Sequence, residues 1–312
     1  MKVTALAGGI GAAKLLEGLY AELNEDLTTI VNVGDDDIFF GLNVSPDLDI
    51  ITYTLAGIID LERRWGLAGE TFNCIKALGT YYPENWFNLG DKDIATHIFR
   101  TEQMRQGRTL AEVTQMIGEK LGVSCAILPV TNDIVQTKLH TDVGVLDFED
   151  YFVKHKAEVP VQFIEYQGAP SAVPAPHVLD AIAGADRIII CPSNPMLSIG
   201  PILAVPGIRE AIAARRSDVI AVTPIIQGDA VKGPTARIFR ELGYEVNPLG
   251  VVDYYGADLF SEFVADIRDA SAVQGIDSNH FQEPVHFATF DTLMSDITKK
   301  VELARFLLEI EI

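Results

Sequence analysis

Apolar positions along the chain follow two rhythms. Short β-branched runs, "KVTALA", "LTTIVNV", "SCAILP", "RIIICPS" and "VIAVTPII", each end in a glycine, a proline or a small polar residue. Between them apolar residues recur three and four positions apart, the spacing of an amphipathic helix. This alternation predicts an α/β fold, a Rossmann-like, mostly parallel sheet flanked by helices, with a ligand crevice at the loops that follow the strands. Between Asp47 and Gly122 helical segments dominate, and Thr109 with Glu112 forms a capping-box pair at the head of one of them. The stretches "VQTKLHTDVGVLDFEDYFV" and "VPVQFIEY" alternate as strands around a turn at Gly144, predicting a small antiparallel patch. No repeat or low-complexity linker divides the chain. The expected organisation is a single α/β unit over 1–312: core 1–46 and 167–255, a helical insertion over about 47–122, the antiparallel patch over about 135–166, and a C-terminal helical segment over about 290–312.

Composition narrows the function classes. Hydrophobic residues make up 48% and charged residues 22%, which fits a globular enzyme and argues against disorder. Lysine and arginine number 24 against 44 aspartates and glutamates, a net charge of −20, so a broad nucleic-acid footprint is excluded. Phosphate must then be bound locally, by backbone N–H groups, a few placed cations or a divalent metal. Cys74, Cys125 and Cys191 are dispersed, which suits neither a disulfide framework nor a zinc motif and fits a reducing cytoplasm. The apolar stretch in "MKVTALAGG" is too short for a signal peptide, and no run approaches the roughly 20 apolar residues of a membrane span. A cytoplasmic protein with no membrane partner is expected.

Candidate chemistry collects at the ends of the predicted strands. Gly8, Gly9 and Gly11, followed by Lys14, make a strand–glycine turn–helix unit. Such a unit aims N–H groups and the positive end of a helix dipole at an anion. It lacks the third glycine of the dinucleotide fingerprint, and its lysine is not followed by the Ser or Thr of a Walker loop. The second strand ends in "VNVGDDDIFFG", with Asp35 24 residues after Gly11. Its aspartates read either as a solvated acidic turn or as ligands for a hydrated Mg²⁺ beside a phosphate. In "SPDLDI", Ser45 or Asp47 can cap the following helix, with the cap the favoured reading for Asp47, while Asp49 is open to orienting a substrate hydroxyl. "NLGDKDIATHIFR" sets Asp91, Lys92 and Asp93 at a helix start ahead of His97 and Arg100, and these read equally as solvated or structural residues. Ser193, Asn194 and Ser198 lie in a loop stiffened by Pro192, Pro195 and Pro201, and Thr223, Lys232 and Gly233 lie in the parallel loop "TPIIQGDAVKGP". Both suit the reading of a ligand's polar edge.

Eight stretches in order, "AGGIGAAKLL", "VNVGDDD", "SPDLDIITYTLAG", "RRWGLAGETF", "LGDKDIATHIFR", "CPSNPMLSIGPILAVPGIR", "TPIIQGDAVKGP" and "DTLMSD", resemble the 2-phospho-L-lactate transferases of coenzyme F-420 biosynthesis, including the bacterial phosphoenolpyruvate transferases. The resemblance implies a Mg²⁺-dependent homodimer. Its reaction would move a phospholactyl or phosphoenolpyruvyl group from a guanosine diphosphate adduct to the ribityl hydroxyl of the deazaflavin Fo, releasing GMP. It further implies Fo contacts at Asp49 and Lys92, with Asp49 catalytic. The nucleotide site would use Gly8, Gly9, Gly11, Lys14, Ser193, Asn194, Ser198 and Thr223, and the metal would sit at Asp35 or Asp36. Lys92 stands where the family block has arginine, which keeps the charge without the bidentate fork. Two other readings use the same glycine loop: a non-catalytic nucleotide-sugar binding regulator of the gluconeogenesis-factor type, and an NAD-dependent oxidoreductase.

Overall fold

The computed structural model describes residues 1–82, 86–230, 233–276 and 281–310, so Lys232 lies outside the described residues. Seven strands form one sheet: β1 (Val3–Ala7), β2 (Leu27–Val31), β3 (Ala126–Pro129), β4 (Arg187–Ile190), β5 (Val219–Val222), β6 (Glu262–Asp266) and β7 (His286–Phe290). Their spatial order is β7-β6-β5-β4-β1-β2-β3 and every pairing is parallel. The five apolar runs of the sequence are β1 to β5. Residues Val3 to Ala7, Ile188 to Ile190 and Val219 to Val222 are buried on both faces, which explains why these strands read as continuous hydrophobic runs.

The expected core ended at residue 255, yet the sheet continues through β6 and β7. Glu262 and Asp266 bracket Phe263, Val264 and Ala265, and those terminal charges break the apolar run that marks a buried strand. The helical insertion is present as α2 (Pro46–Leu55), a short helix Asn73–Leu78, α3 (Asp91–Arg105) and α4 (Leu110–Lys120). Thr109 and Glu112 close the capping box on α4. The antiparallel patch is also present, with Gln136–Thr141 between Gly144–Asp147 and Val161–Gln167. Its strands brace the crevice. Thr137 N–H donates to the Gly34 carbonyl at 2.7 Å, and Tyr166 Oη donates to the Met196 carbonyl at 2.6 Å.

The order of strands reverses between β1 and β4, the topological switch point where open α/β sheets bind ligands. The loop after β1 runs into α1 (Gly9–Leu23), and the loop after β4 runs through a turn at Pro195–Ile199. These loops touch. A Cβ at Gly11 would lie 2.3 Å from the Pro192 carbonyl oxygen, and Ser193 Oγ donates to the Gly8 carbonyl at 2.8 Å.

The C-terminal helix α5 (Ile297–Glu309) packs on the back of α1 and anchors the glycine loop from behind. At their crossing a Cβ on Gly18 would sit 2.2 Å from the Lys300 carbonyl oxygen. Gly18→Ala is therefore expected to lower stability by about 1–3 kcal/mol through overpacking, read from the midpoint of urea unfolding. An unchanged midpoint would show that the two helices can part at no cost.

Candidate functional site

A cavity of about 700 Å³ opens at the switch point and joins most of the sequence candidates. Gly8, Gly9, Gly11, Lys14, Asp35, Asp49, Ser193, Asn194, Ser198 and Thr223 all line it. Asp36 and Lys92 do not. Asp36 is turned away to accept a hydrogen bond from Ser45 Oγ at 2.7 Å. Lys92 is exposed on the first turn of α3, and its Nζ donates to the Ala68 carbonyl at 2.7 Å.

The glycine loop is shaped by contact as much as by conformation. Gly9 has φ +68°, the left-handed region that favours glycine. A Cβ on Gly8 would lie 2.7 Å from Asp47 Oδ2 and 2.8 Å from Ser198 Cβ. Asp47 corrects the sequence reading, because it does not cap its own helix. Ser45 holds the N-cap position of α2 with Pro46 in the first turn, and the Asp47 carboxylate instead accepts Gly9 N–H at 2.7 Å and Asn32 Nδ2 at 2.9 Å. One carboxylate thus joins α2, the end of β2 and the start of α1.

The polar groups of the two later loops are partly engaged at home. Asn194 Oδ1 accepts Met196 N–H at 2.9 Å and Leu197 N–H at 3.1 Å, while its buried Nδ2 has no protein partner. Thr223 Oγ1 donates to the Ile225 carbonyl at 3.0 Å and closes a local turn.

Asp49 belongs to a buried charge network. Arg100, 1% exposed, donates Nη1 to Asp49 Oδ2 at 3.0 Å and Nη2 to Asp49 Oδ1. Nη1 also lies 3.1 Å from His97 Nδ1. A guanidinium only donates, so Nδ1 accepts and the imidazole proton sits on Nε2, which lies 3.4 Å from Asp93 Oδ1. Tyr53 Oη donates to the same Asp93 oxygen at 2.8 Å. Burial acts to raise the Asp93 carboxyl, but the neighbouring His97, the Tyr53 hydroxyl and Arg100 outweigh burial and hold it below its ordinary range. Arg100 and His97, read as structural or solvated from the sequence, are buried beside the candidate catalytic acid. Asp91 serves the fold, accepting Thr71 Oγ1 at 2.5 Å and Cys74 N–H at 2.8 Å.

A second acidic group has no such cation. Asp35 is pushed well above the usual carboxylate range by burial and by the nearby Asp47 and Glu149. Burial raises Asp47 to about 6, and burial together with Asp47 raises Glu149 to about 8. All three line the cavity, and Asp35 Oδ1 is buried without a hydrogen-bond partner. An orphaned carboxylate oxygen among mutually repelling acids fits a hard divalent cation, which would relieve both burial and repulsion. Asp49, Asp93 and His97 also bring ligand atoms within 4.8 Å of one another, but Arg100 already engages both oxygens of Asp49. Asp35 thus offers the unengaged oxygen, whereas Asp49, Asp93 and His97 are the group with three ligand atoms that close together among the described residues.

Sequence reasoning missed Glu149 and the aromatic wall. Trp65, Phe87, Phe148 and Phe152 line the cavity, with Phe87 stacked on Phe39 at 3.8 Å and Phe148 on Phe152 at 5.5 Å. The signal lay in aromatics set among acids in "LDFEDYF", where no apolar run was being sought.

The architecture first defines a class: a Rossmann-like α/β protein whose cavity at the switch point joins a glycine loop, an acid cluster and an aromatic wall. Comparison then gives the family. The chain belongs to the 2-phospho-L-lactate transferase CofD family, whose model matches residues 3–292. It is 39% identical to a phosphoenolpyruvate transferase of Streptomyces griseus, over 99% of this chain and 98% of the relative. It is 36% identical to a 2-phospho-L-lactate transferase of Methanosarcina mazei, over 97% and 98%. A crystal structure of a UPF0052 family member from Bacillus halodurans superposes with a TM-score of 0.63 at 19% identity, over 99% of this chain and 98% of that one. That likeness is one of fold. Among the described residues no helix is long and apolar enough to cross a membrane.

The raised carboxyls set a pH dependence for the cation-free protein. Glu149 is protonated up to about 8 when folded but only to about its ordinary 4.5 when unfolded. The folded state therefore binds more protons across that window, and stability falls as pH rises through it. Denaturation midpoints measured in chelator from pH 5 to 8.5 should decline, and Glu149→Gln should flatten the slope. A midpoint that rises across this range would contradict the assignment.

Proposed function

We propose that this protein transfers a phospholactyl or phosphoenolpyruvyl group from a guanosine diphosphate adduct to the ribityl hydroxyl of Fo, releasing GMP, in coenzyme F-420 biosynthesis. The observation that carries the reading is the joining, in one cavity, of the glycine loop, the orphaned Asp35 carboxylate, the clamped Asp49 and an aromatic wall. Relatives named for each of the two three-carbon donors, at 39% and 36% identity, support the reaction type. A cytoplasmic homodimer belongs to the same reading.

The chemistry follows from positioning and charge. The N-terminus of α1 and Lys14 receive the diphosphate. Asp35, with Asp47 and Glu149 beside it, would hold Mg²⁺, which supplies neutralisation of the diphosphate charge when bound. Asp49, fixed by Arg100, accepts a hydrogen bond from the ribityl hydroxyl and aims its oxygen at the phosphorus that carries the three-carbon unit. The new oxygen–phosphorus bond forms as the diphosphate bridge breaks. GMP leaves with the bridging oxygen, and the hydroxyl proton passes to Asp49 and from there to solvent. Phosphoryl transfer depends mainly on such alignment and charge stabilisation. Stacked and edge-on rings at Trp65, Phe87, Phe148 and Phe152 suit the flat deazaflavin.

Incubation with Fo, Mg²⁺ and each guanylylated donor should yield the coupled deazaflavin, identified by mass, together with GMP. No product from either donor would overturn the proposal. Asp49→Ala should slow turnover by about 10²- to 10⁴-fold while guanine nucleotide binding is retained. Wild-type turnover in that variant would remove Asp49 from the mechanism.

A further inference from the structure

The proposed reaction brings a three-carbon carboxylic acid into a cavity walled by Asp35, Asp47, Asp49, Asp93 and Glu149. Arg100 is already engaged by Asp49 and a cation held at Asp35 would serve the diphosphate, so a carboxylate entering there needs a further positive group to meet it. Among the described lining residues the lysines and arginines are Lys14 and Arg63. Lys14 lies in the second turn of α1 and is engaged by the diphosphate in the reaction proposed above.

Arg63 comes from a separate, tightly tied turn. The Asp60 carboxylate accepts Glu62 N–H at 3.0 Å and Arg63 N–H at 2.9 Å, and Asp60 Oδ2 pairs with Arg63 Nη2 at 2.7 Å. The guanidinium carbon lies 5.3 Å from the Trp65 ring centroid and 5.1 Å from that of Phe72. The planar fork is thus held on one edge by a carboxylate and on its faces by rings. Its Nε–H is buried and has no acceptor in the protein. A preorganised, partly exposed guanidinium with its buried Nε–H lacking an acceptor, in the wall of a largely acidic cavity, is matched to a planar anion.

We infer that Arg63 reads the carboxylate of the three-carbon acid and is a specificity residue for the donor. The inference rests on the transfer reaction proposed above and names the group that selects its acid.

The test uses the guanylylated donor and its carboxamide analogue, with wild type, Arg63→Gln and Arg63→Lys. Turnover with Fo and Mg²⁺ is measured alongside calorimetric donor binding without Fo. Wild type should favour the acid over the carboxamide. In Arg63→Gln the KM and Kd for the acid should rise roughly 10- to 100-fold, the effect of losing a charged hydrogen-bond partner. Those for the carboxamide, the KM for Fo and GDP affinity should stay near wild type. Arg63→Lys should fall between, since a point charge replaces the fork. Equal losses for acid and carboxamide would overturn the inference and leave Arg63 a structural role, as would a rise confined to the KM for Fo. If wild type formed no product the reaction itself would fail, and the calorimetric comparison of acid with carboxamide would still decide Arg63.

Discussion

The site depends on how closely the loop after β1 approaches the loop after β4. Nothing larger than hydrogen fits at Gly11, where a Cβ would press to 2.3 Å on the Pro192 carbonyl oxygen, or at Gly8, where it would meet Asp47 and Ser198. These glycines serve interloop contact in addition to any ligand. That changes the meaning of the incomplete fingerprint. In a dinucleotide site the third glycine lets helix and strand pack closely. Here Ala12 and Ala13 provide buried, small packing positions, and Lys14 is left to face the cavity. The apparent defect is a lysine placed where a phosphate-bearing ligand would lie.

Charge is divided unevenly within that cavity. Asp49 and Asp93 are tied into a buried arrangement with Arg100, His97 and Tyr53, so their charge is matched by neighbours. Asp35 is raised by burial, Asp47 and Glu149, and Glu149 by burial and Asp47, while Asp47 is raised by burial against hydrogen bonds from Asn32 and Gly9. Burying charge without a partner is costly, so these carboxyls stay protonated to higher pH than usual, and the cation proposed above would restore their charged form. In the reading proposed above, a chain of net charge −20 serves an anionic substrate because recognition is local and the long-range field is screened by salt.

Much of this was legible before the structure. Five apolar runs became five parallel strands, the Thr109–Glu112 pair closed its capping box, and the Gly144 turn joined two antiparallel strands. Local rules sufficed because each signal was contained within a few residues. What stayed hidden depended on residues far apart in sequence. Asp47 looks like a cap for its own helix, and only the approach of α1, 38 positions away, gives it Gly9 as a partner. Glu149 looks like one acid among several until burial beside Asp35 and Asp47 distinguishes it. Lys92 and Asp36 stand within or beside matched motifs, yet helix geometry and a bond to Ser45 turn them from the cavity.

The helical insertion builds the buried network around Asp49. Asp49 and Tyr53 occupy positions i and i+4 on α2, while Asp93, His97 and Arg100 fall at i, i+4 and i+7 on α3. Those spacings align side chains along one face of each helix, so packing α2 against α3 assembles the whole network at once. The sheet is shared with the Bacillus halodurans UPF0052 protein at 19% identity, and a shared sheet does not determine function. The insertion contributes three parts of the site: a carboxylate held at two oxygens, a histidine whose tautomer is set by an arginine, and a ring-braced guanidinium at Arg63.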